Sequence, residues 1–236
     1  MMGTYLYCIH GDPVGVPASL VGIDGASVRA VDVSSLEAWV SDVREVPVTV
    51  SVDRMRAHDA VCAAALDSAE TPLPVRFGQA FATDEAAKTA IAAKATQLSR
   101  RLRRVSGCVE LRVVVRPLVE SNASTTGAAV ATDENATDVG RPGTAFLRRL
   151  AREKRAGLSR EVACEGARRT IRTEAKDLIV EQRPCETARG VSYFALLVRR
   201  SDVGTVRELA NRVLSSQSLQ TLVMGPFAPY SFADDG

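Results

Sequence analysis

His58 and Cys62 stand four residues apart. One helical turn would bring imidazole and thiol to the same face, as two metal ligands or as a base beside its nucleophile. Either chemistry needs more groups than these. A zinc site takes three or four ligands, yet the other histidine, His10, is far away in sequence and no carboxylate stands at a supporting spacing. Met55 and Cys62 share the apolar stripe of His58, so the simpler reading is a packed, hydrogen-bonded core histidine. Asp59 adjoins His58, but neighbours on a helix point about 100° apart and do not readily bond to each other. There is no GxSxG, no P-loop and no GxGxxG. Asp24-Gly25 is a turn dipeptide without the strand-to-helix setting of a phosphate cradle. No catalytic apparatus and no cofactor site can be assembled. A cytosolic enzyme or metal-binding protein using the His58/Cys62 helix face remains the alternative.

Arginine offers the other chemistry. Arg76 sits in Leu73-Pro74-Val75-Arg76-Phe77-Gly78, where the prolines stiffen the approach and Gly78 admits close backbone contact. It is the best single candidate for specific recognition, against the plainer alternative that it pairs with a local carboxylate while Phe77 fills the core. The arginines at 100–104 and 148–155 could meet phosphates. The acids Glu153, Glu161, Glu165, Glu174 and Asp177 interleave with the second group, and Phe146 is the only aromatic residue near it. That pattern describes a solvated, salt-bridged helix face rather than a nucleic-acid surface.

The tail, Met224-Gly225-Pro226-Phe227-Ala228-Pro229-Tyr230-Ser231-Phe232, puts three aromatics into a chain that has only 5%. Its prolines exclude helix and central strand. An extended, stiff segment presenting Phe227, Tyr230 and Phe232 either docks on the body of the protein or offers itself to a partner.

These groups must be positioned by elements legible in the pattern. Tyr5 to Ile9 and Val28 to Val33 read as strands. Ser34-Ser35-Leu36-Glu37 has the form of a capping box before a helix with Leu36, Trp39, Val40 and Val43 on one face. Val48 to Val50 could pair as a strand. Asp53 opens a helix to about Ala69, and Leu73 to Phe81 is extended. Thr83 caps a long helix to Val105 whose seam Ile91, Ala95, Leu98, Leu102, Val105 has coiled-coil-like spacing. Val109 to Val115 alternates as a half-buried strand. Ser121 to Gly140 is polar and lacks lysine and arginine, so it reads as a linker. Residues 143 to about 180 look helical and basic, with a break possible at Gly157 or Gly166 and an apolar stripe from Leu158 and Val162 to Leu178. A strand from Val191 to Val198, a helix capped by Asp202 and a strand from Leu219 to Met224 lead into the tail. The expectation is two α+β domains, 1–118 and 143–236, joined by a flexible linker at 119–142. Each is a small sheet with helices on one face.

Composition bounds the rest. Thirty basic and 28 acidic residues leave a formal charge of +2, too little to steer a polyanion. No apolar run is long enough to span a membrane. The start lacks the features of a signal peptide, so a cytoplasmic protein is expected. Five dispersed cysteines without a CxxC read as buried small apolar side chains.

Three anchors in order resemble the gas vesicle protein F/L family: the opening Tyr5-Leu6-Tyr7-Cys8-Ile9, the intact Leu73 to Gly78 motif preceded by His58, and the tail. The tail departs from the family pattern at Phe227, usually Trp, and at Ala228, usually Pro. The resemblance implies ferredoxin-like sheets with a projecting helical pair. It further implies a non-enzymatic accessory protein of gas vesicle assembly. Such a protein would bind the hydrophobic shell subunit, and other accessory proteins with it, to aid nucleation or keep the subunit dispersed. Arg76, Phe77, Phe227, Tyr230 and Phe232 are the candidate partner-binding residues, with no nucleic acid, membrane or metal involved.

Overall fold

Alternation along one buried strand organises the N-terminal half. A computed structural model describes residues 2–68, 71–117, 142–188, 191–215 and 219–234, with side chains described throughout except at 117 and 142–157. Strand β1 (Gly3–His10) is buried along its whole length. It pairs antiparallel with β3 (Leu36–Val43), which pairs with β2 (Arg29–Val33). The short β4 (Leu73–Pro74) and β5 (Ala80–Phe81) complete this sheet on the other edge of β1.

The segment from Leu36 is therefore a strand and not the expected helix. Ser34, at φ 58°, turns the β2–β3 hairpin in place of capping a helix. The spacing misleads because β3 is buried on both sides. Leu36, Ala38 and Val40 join one core cluster, while Trp39 and Val43 join another. Two covered faces erase the polar alternation that identifies a half-buried strand.

Helices cover both faces of this sheet, not one. On one side α1 (Val52–Ser68) packs Val61, Cys62 and Ala65 against Tyr5, Tyr7 and Trp39. On the other, α2 (Asp84–Ala92) and α3 (Ala95–Val105) pack Ile91, Leu98, Leu102 and Val105 against Leu6, Ile9 and Val40. Thr83 Oγ1 accepts a bond from Ala86 N at 3.1 Å and caps α2 as expected. The single helix to Val105 is broken at Ala93–Lys94, so its seam is split between two helices and faces a sheet. Val48 to Val50 forms no strand.

The second sheet has the order β10-β6-β9-β7, with β8 also on β9. Its members are β6 (Cys108–Pro117), β7 (Ile179–Gln182), β8 (Glu186–Ala188), β9 (Val191–Arg199) and β10 (Leu219–Phe227). Strand β6 precedes the expected linker in sequence, yet pairs with β9 and β10 beyond it. The linker itself lies outside the described residues. Helix α4 (Pro142–Glu174) runs 33 residues without a break at either glycine. With α5 (Val203–Ser215) it covers one face of the sheet through Cys164, Ala167, Ile171, Val206, Ala210 and Leu214. Leu158 and Val162, expected in its apolar stripe, are exposed. No second long helix accompanies α4 among the described residues, so the coiled-coil-like pair is not found there. Nor is any described helix long and apolar enough to cross a membrane.

Candidate functional site

The tail docks on the body of the protein and joins the two sheets. Gly225, at φ 114°, turns the chain out of β10, and a Cβ there would lie 2.7 Å from the Glu110 carbonyl oxygen, so only glycine fits. Pro226 is tolerated because β10 is an edge strand. Phe232 is fully buried among Leu6, Ile9, Ala195 and Leu197, which come from both sheets. Beside it lies a carboxylate with no solvent exposure. Glu110 accepts bonds from Ser231 N at 2.7 Å, Ser231 Oγ at 2.9 Å and Arg112 Nη2 at 2.9 Å. Arg183 stacks over Phe232 and donates to the Ser231 carbonyl at 2.8 Å. A buried charge so fully bonded costs little to keep and much to disturb.

The Leu73 to Gly78 motif is a second clasp. Val75 N donates to the Tyr7 carbonyl at 2.9 Å, extending the edge of β1. Gly78, at φ 98°, donates its N–H to the Tyr5 hydroxyl at 3.0 Å. Phe77 is half-buried against Tyr5 and His58. Arg76 is the exposed member of the motif, and its Nη2 lies 2.7 Å from Asp234.

His58 is buried, with a partner at each ring nitrogen. Nδ1 lies 3.0 Å from the Tyr5 hydroxyl, which also accepts from Gly78 N. Nε2 faces Cys62 Sγ at 3.7 Å, while that thiol donates to the Tyr7 carbonyl at 3.5 Å. Contact with the Cys8 thiol, and after it His58, pulls the Cys62 pKa down, while burial pushes that of Cys8 up. Asp59 turns away from His58 and accepts from the Tyr230 hydroxyl at 3.2 Å. Both ring nitrogens serve this relay, which ties α1 to β1. Among the described residues no three His, Cys, Asp or Glu side chains are grouped as metal ligands would be.

Several of the arginines expected on solvated helix faces are ion-paired. Arg104 bonds to Glu181, and Arg168 and Arg169 share Glu165. The side chains of Arg148, Arg149, Arg152, Lys154 and Arg155 lie outside the described set.

Among the described residues, what remains open is one end of the second sheet, on the face away from α4 and α5. Cross-strand register places Leu222 beside Val114 and Val114 beside Tyr193, with Met224 beside Arg112 in the next row. Leu222 is 58% exposed, Met224 38% and Phe227 36%. The Arg112 guanidinium lies over the Tyr193 and Phe227 rings at 5.2 and 5.9 Å. This surface runs into a groove of about 560 Å³ between α1 and β10, with Ala60, Ala63 and Leu66 on one wall and Met224, Pro226 and Phe227 on the other. Asp59 and Cys62 also line it, and its mainly apolar walls can hold an apolar segment.

The five candidate residues thus separate. Phe227 and half-buried Tyr230 both line the groove and Arg76 is solvent-facing, whereas Phe77 is half-buried against Tyr5 and His58 and Phe232 is sealed in the core. Sequence reasoning missed Glu110, Arg183, Leu222 and Met224. Glu110 stands among alternating valines like a solvent-facing residue. Leu222-Val223-Met224 gave a usable signal, since three consecutive apolar residues in a strand leave apolar groups on both faces.

The profile of the family described as gas vesicle synthesis protein GvpL/GvpF matches residues 3–234. The chain belongs to that family. Gas vesicle protein L2 of Halobacterium salinarum is 28% identical over 262 aligned positions, covering 99% of this chain and 92% of the relative. Two crystal structures share the fold at 19% identity. The gas vesicle protein GvpF of Anabaena sp. PCC7120 has a TM-score of 0.70, covering 100% of both chains. GvpF of Microcystis aeruginosa has a TM-score of 0.71, covering 98% of this chain and 99% of that one. Membership associates this chain with the making of gas vesicles and with a family not known for catalysis.

Proposed function

We propose that this family member is a non-catalytic accessory protein that binds the gas vesicle shell subunit and covers its apolar surface before assembly. A subunit with one gas-facing apolar side would aggregate if that side met water unprotected. The observation that carries this reading is the open sheet end, where Leu222, Met224 and Phe227 are exposed together beside the α1–β10 groove. Large apolar side chains clustered at the mouth of a groove mark interaction sites, whereas singly scattered ones do not. The buried His58–Cys62 relay, which ties α1 to β1, favours no enzymatic or metal-binding alternative. The protein acts in the cytoplasm and at the growing vesicle, alongside other accessory proteins, to nucleate assembly or keep subunits dispersed.

Co-expression with the shell subunit tests this. A soluble complex that purifies intact is expected, as is a loss of normal vesicles when the gene is deleted. Failure to co-purify, with vesicles unchanged by the deletion, would contradict it.

A further inference from the structure

Four of the five cysteines meet in pairs, which their spacing along the chain does not suggest. Cys8 touches Cys62 in the N-terminal half, and both thiols are sealed from solvent. Cys164 touches Cys185 in the C-terminal half, and there the two thiols differ. Cys164 is fully buried, whereas Cys185 is only half-buried.

Sheet register and helix period together place this second pair. Glu186 lies opposite Tyr193 in the β8–β9 ladder and accepts from its hydroxyl at 2.8 Å, on the open face. Cys185, one residue earlier, turns to the other face and packs in the cluster that holds Phe194 and Cys164. On α4, Cys164 shares the inward face with Ala167 and Ile171. Arg168, one turn beyond Cys164, reaches the Gln182 side-chain oxygen at 3.4 Å. That bond holds this flank of α4 beside the connection from β7 to β8. The two thiols lie within hydrogen-bonding reach of each other.

We propose that Cys164 and Cys185 form a peroxide-responsive dithiol, which closes to a disulfide joining α4 to the β7–β8 connection. The thiolate is the attacking species, and a partly exposed thiolate beside a second thiol is the arrangement that reacts reversibly. Contact with the Cys164 thiol lowers the pKa of Cys185, and the Arg168 guanidinium adds to this against burial and the Glu165 carboxylate. The same contact, with burial, holds Cys164 in its protonated form. Cys185 is therefore the residue that meets the oxidant, and Cys164 the one that resolves it. Cys185 loses its proton to solvent and attacks one oxygen of hydrogen peroxide. A sulfur–oxygen bond forms, the oxygen–oxygen bond breaks, and the departing hydroxide leaves as water. Cys164 then attacks the sulfenic sulfur. The disulfide forms, the sulfur–oxygen bond breaks, and the released hydroxide takes the Cys164 proton as a second water. Two thiols are oxidised, one peroxide is reduced, and an external dithiol reverses the change. The Cys8–Cys62 pair has the same composition but no half-exposed member, so it serves as the internal contrast.

The test uses the full-length reduced chain and needs no partner, so its failure would leave the shell-subunit reading untouched. The chain is treated with hydrogen peroxide, unfolded, alkylated at its remaining thiols and mapped by peptide mass spectrometry. A Cys164–Cys185 cross-linked peptide should appear, with Cys8 and Cys62 oxidised about tenfold more slowly or less. Dithiothreitol should return both thiols. Cys164→Ser should leave Cys185 as a sulfenic acid that dimedone traps. Cys185→Ser should slow the oxidation of Cys164 about tenfold or more, with thermal melts confirming that each variant folds. The wild-type map decides by itself if a variant does not fold. Oxidation of Cys185 without the cross-link, or oxidation of Cys185 no faster than that of Cys8 and Cys62, overturns the proposal.

Discussion

The two sheets are built from similar strands and finished differently. The N-terminal sheet is packed on both faces, by α1 on one side and by α2 and α3 on the other. Among the described residues, helices α4 and α5 pack on one face of the C-terminal sheet. Its other face is covered at the Glu110 end by the tail and α3, and no described element packs over it where exposed Leu222 aligns with half-buried Val114 and Tyr193. A closed sheet supplies stability and an open one supplies a surface. Substitutions in the closed region and at the tail clasp should therefore act on folding, and those on the bare end on partner binding with folding untouched.

The largest effect is expected at Phe232, where the tail seals the space between the sheets. Phe232→Ala should cost about 3–5 kcal/mol of stability, the range for emptying an aromatic site in a core. Denaturant unfolding measures this, and a loss under 1 kcal/mol would mean the tail is not part of the core. Next is His10, buried between the Cys8 thiol and the Trp39 ring. Burial pulls its pKa down to about 4, against roughly 6.5 in the unfolded chain. The unfolded state therefore takes up a proton before the folded one does. Stability is full above pH 6.5 and falls by about 3 kcal/mol as pH drops to 4. His10→Gln should flatten that part of the profile, and an unaltered slope would show that other groups carry it.

Glu110→Gln weakens the clasp without emptying it, and about 1–3 kcal/mol should be lost with the charge-assisted bonds to Ser231 and Arg112. A neutral result would show that the carboxylate holds no energy in the docked tail. The smallest effect on folding is expected from Leu222→Lys combined with Met224→Lys, within about 0.5 kcal/mol of wild type, because both side chains face solvent. The same pair should abolish shell-subunit capture. A variant that unfolds, or one that still captures, would erase the distinction between the closed and open sheets.

Where burial was one-sided or caps were explicit, the elements were legible in the sequence. Strands β6 and β9, helix α5 and the Thr83 cap stand where pattern and hydrogen-bonding chemistry put them. Strand β3 was not legible, because covering both faces removed the period-two signal and left a spacing that also suits a helix. The α2–α3 break was hidden because Ala93 and Lys94 are both good helix formers, and only packing against the sheet sets the change of direction. Of the site, the chain announced its punctuation. Gly78 and Gly225 occupy backbone conformations that demand glycine, and the prolines confine the tail to an edge. It did not announce Glu110, whose burial depends on a tail folding back from 121 positions away.

Amide hydrogen exchange of the full chain, alone and with the shell subunit bound, shows which surface the subunit covers. Exchange should slow at 219–227 in β10 and at 60–66 in α1, with the both-sided N-terminal sheet unchanged. Protection confined to other surfaces, with β10 exchanging as fast in the complex as in the free protein, would contradict it.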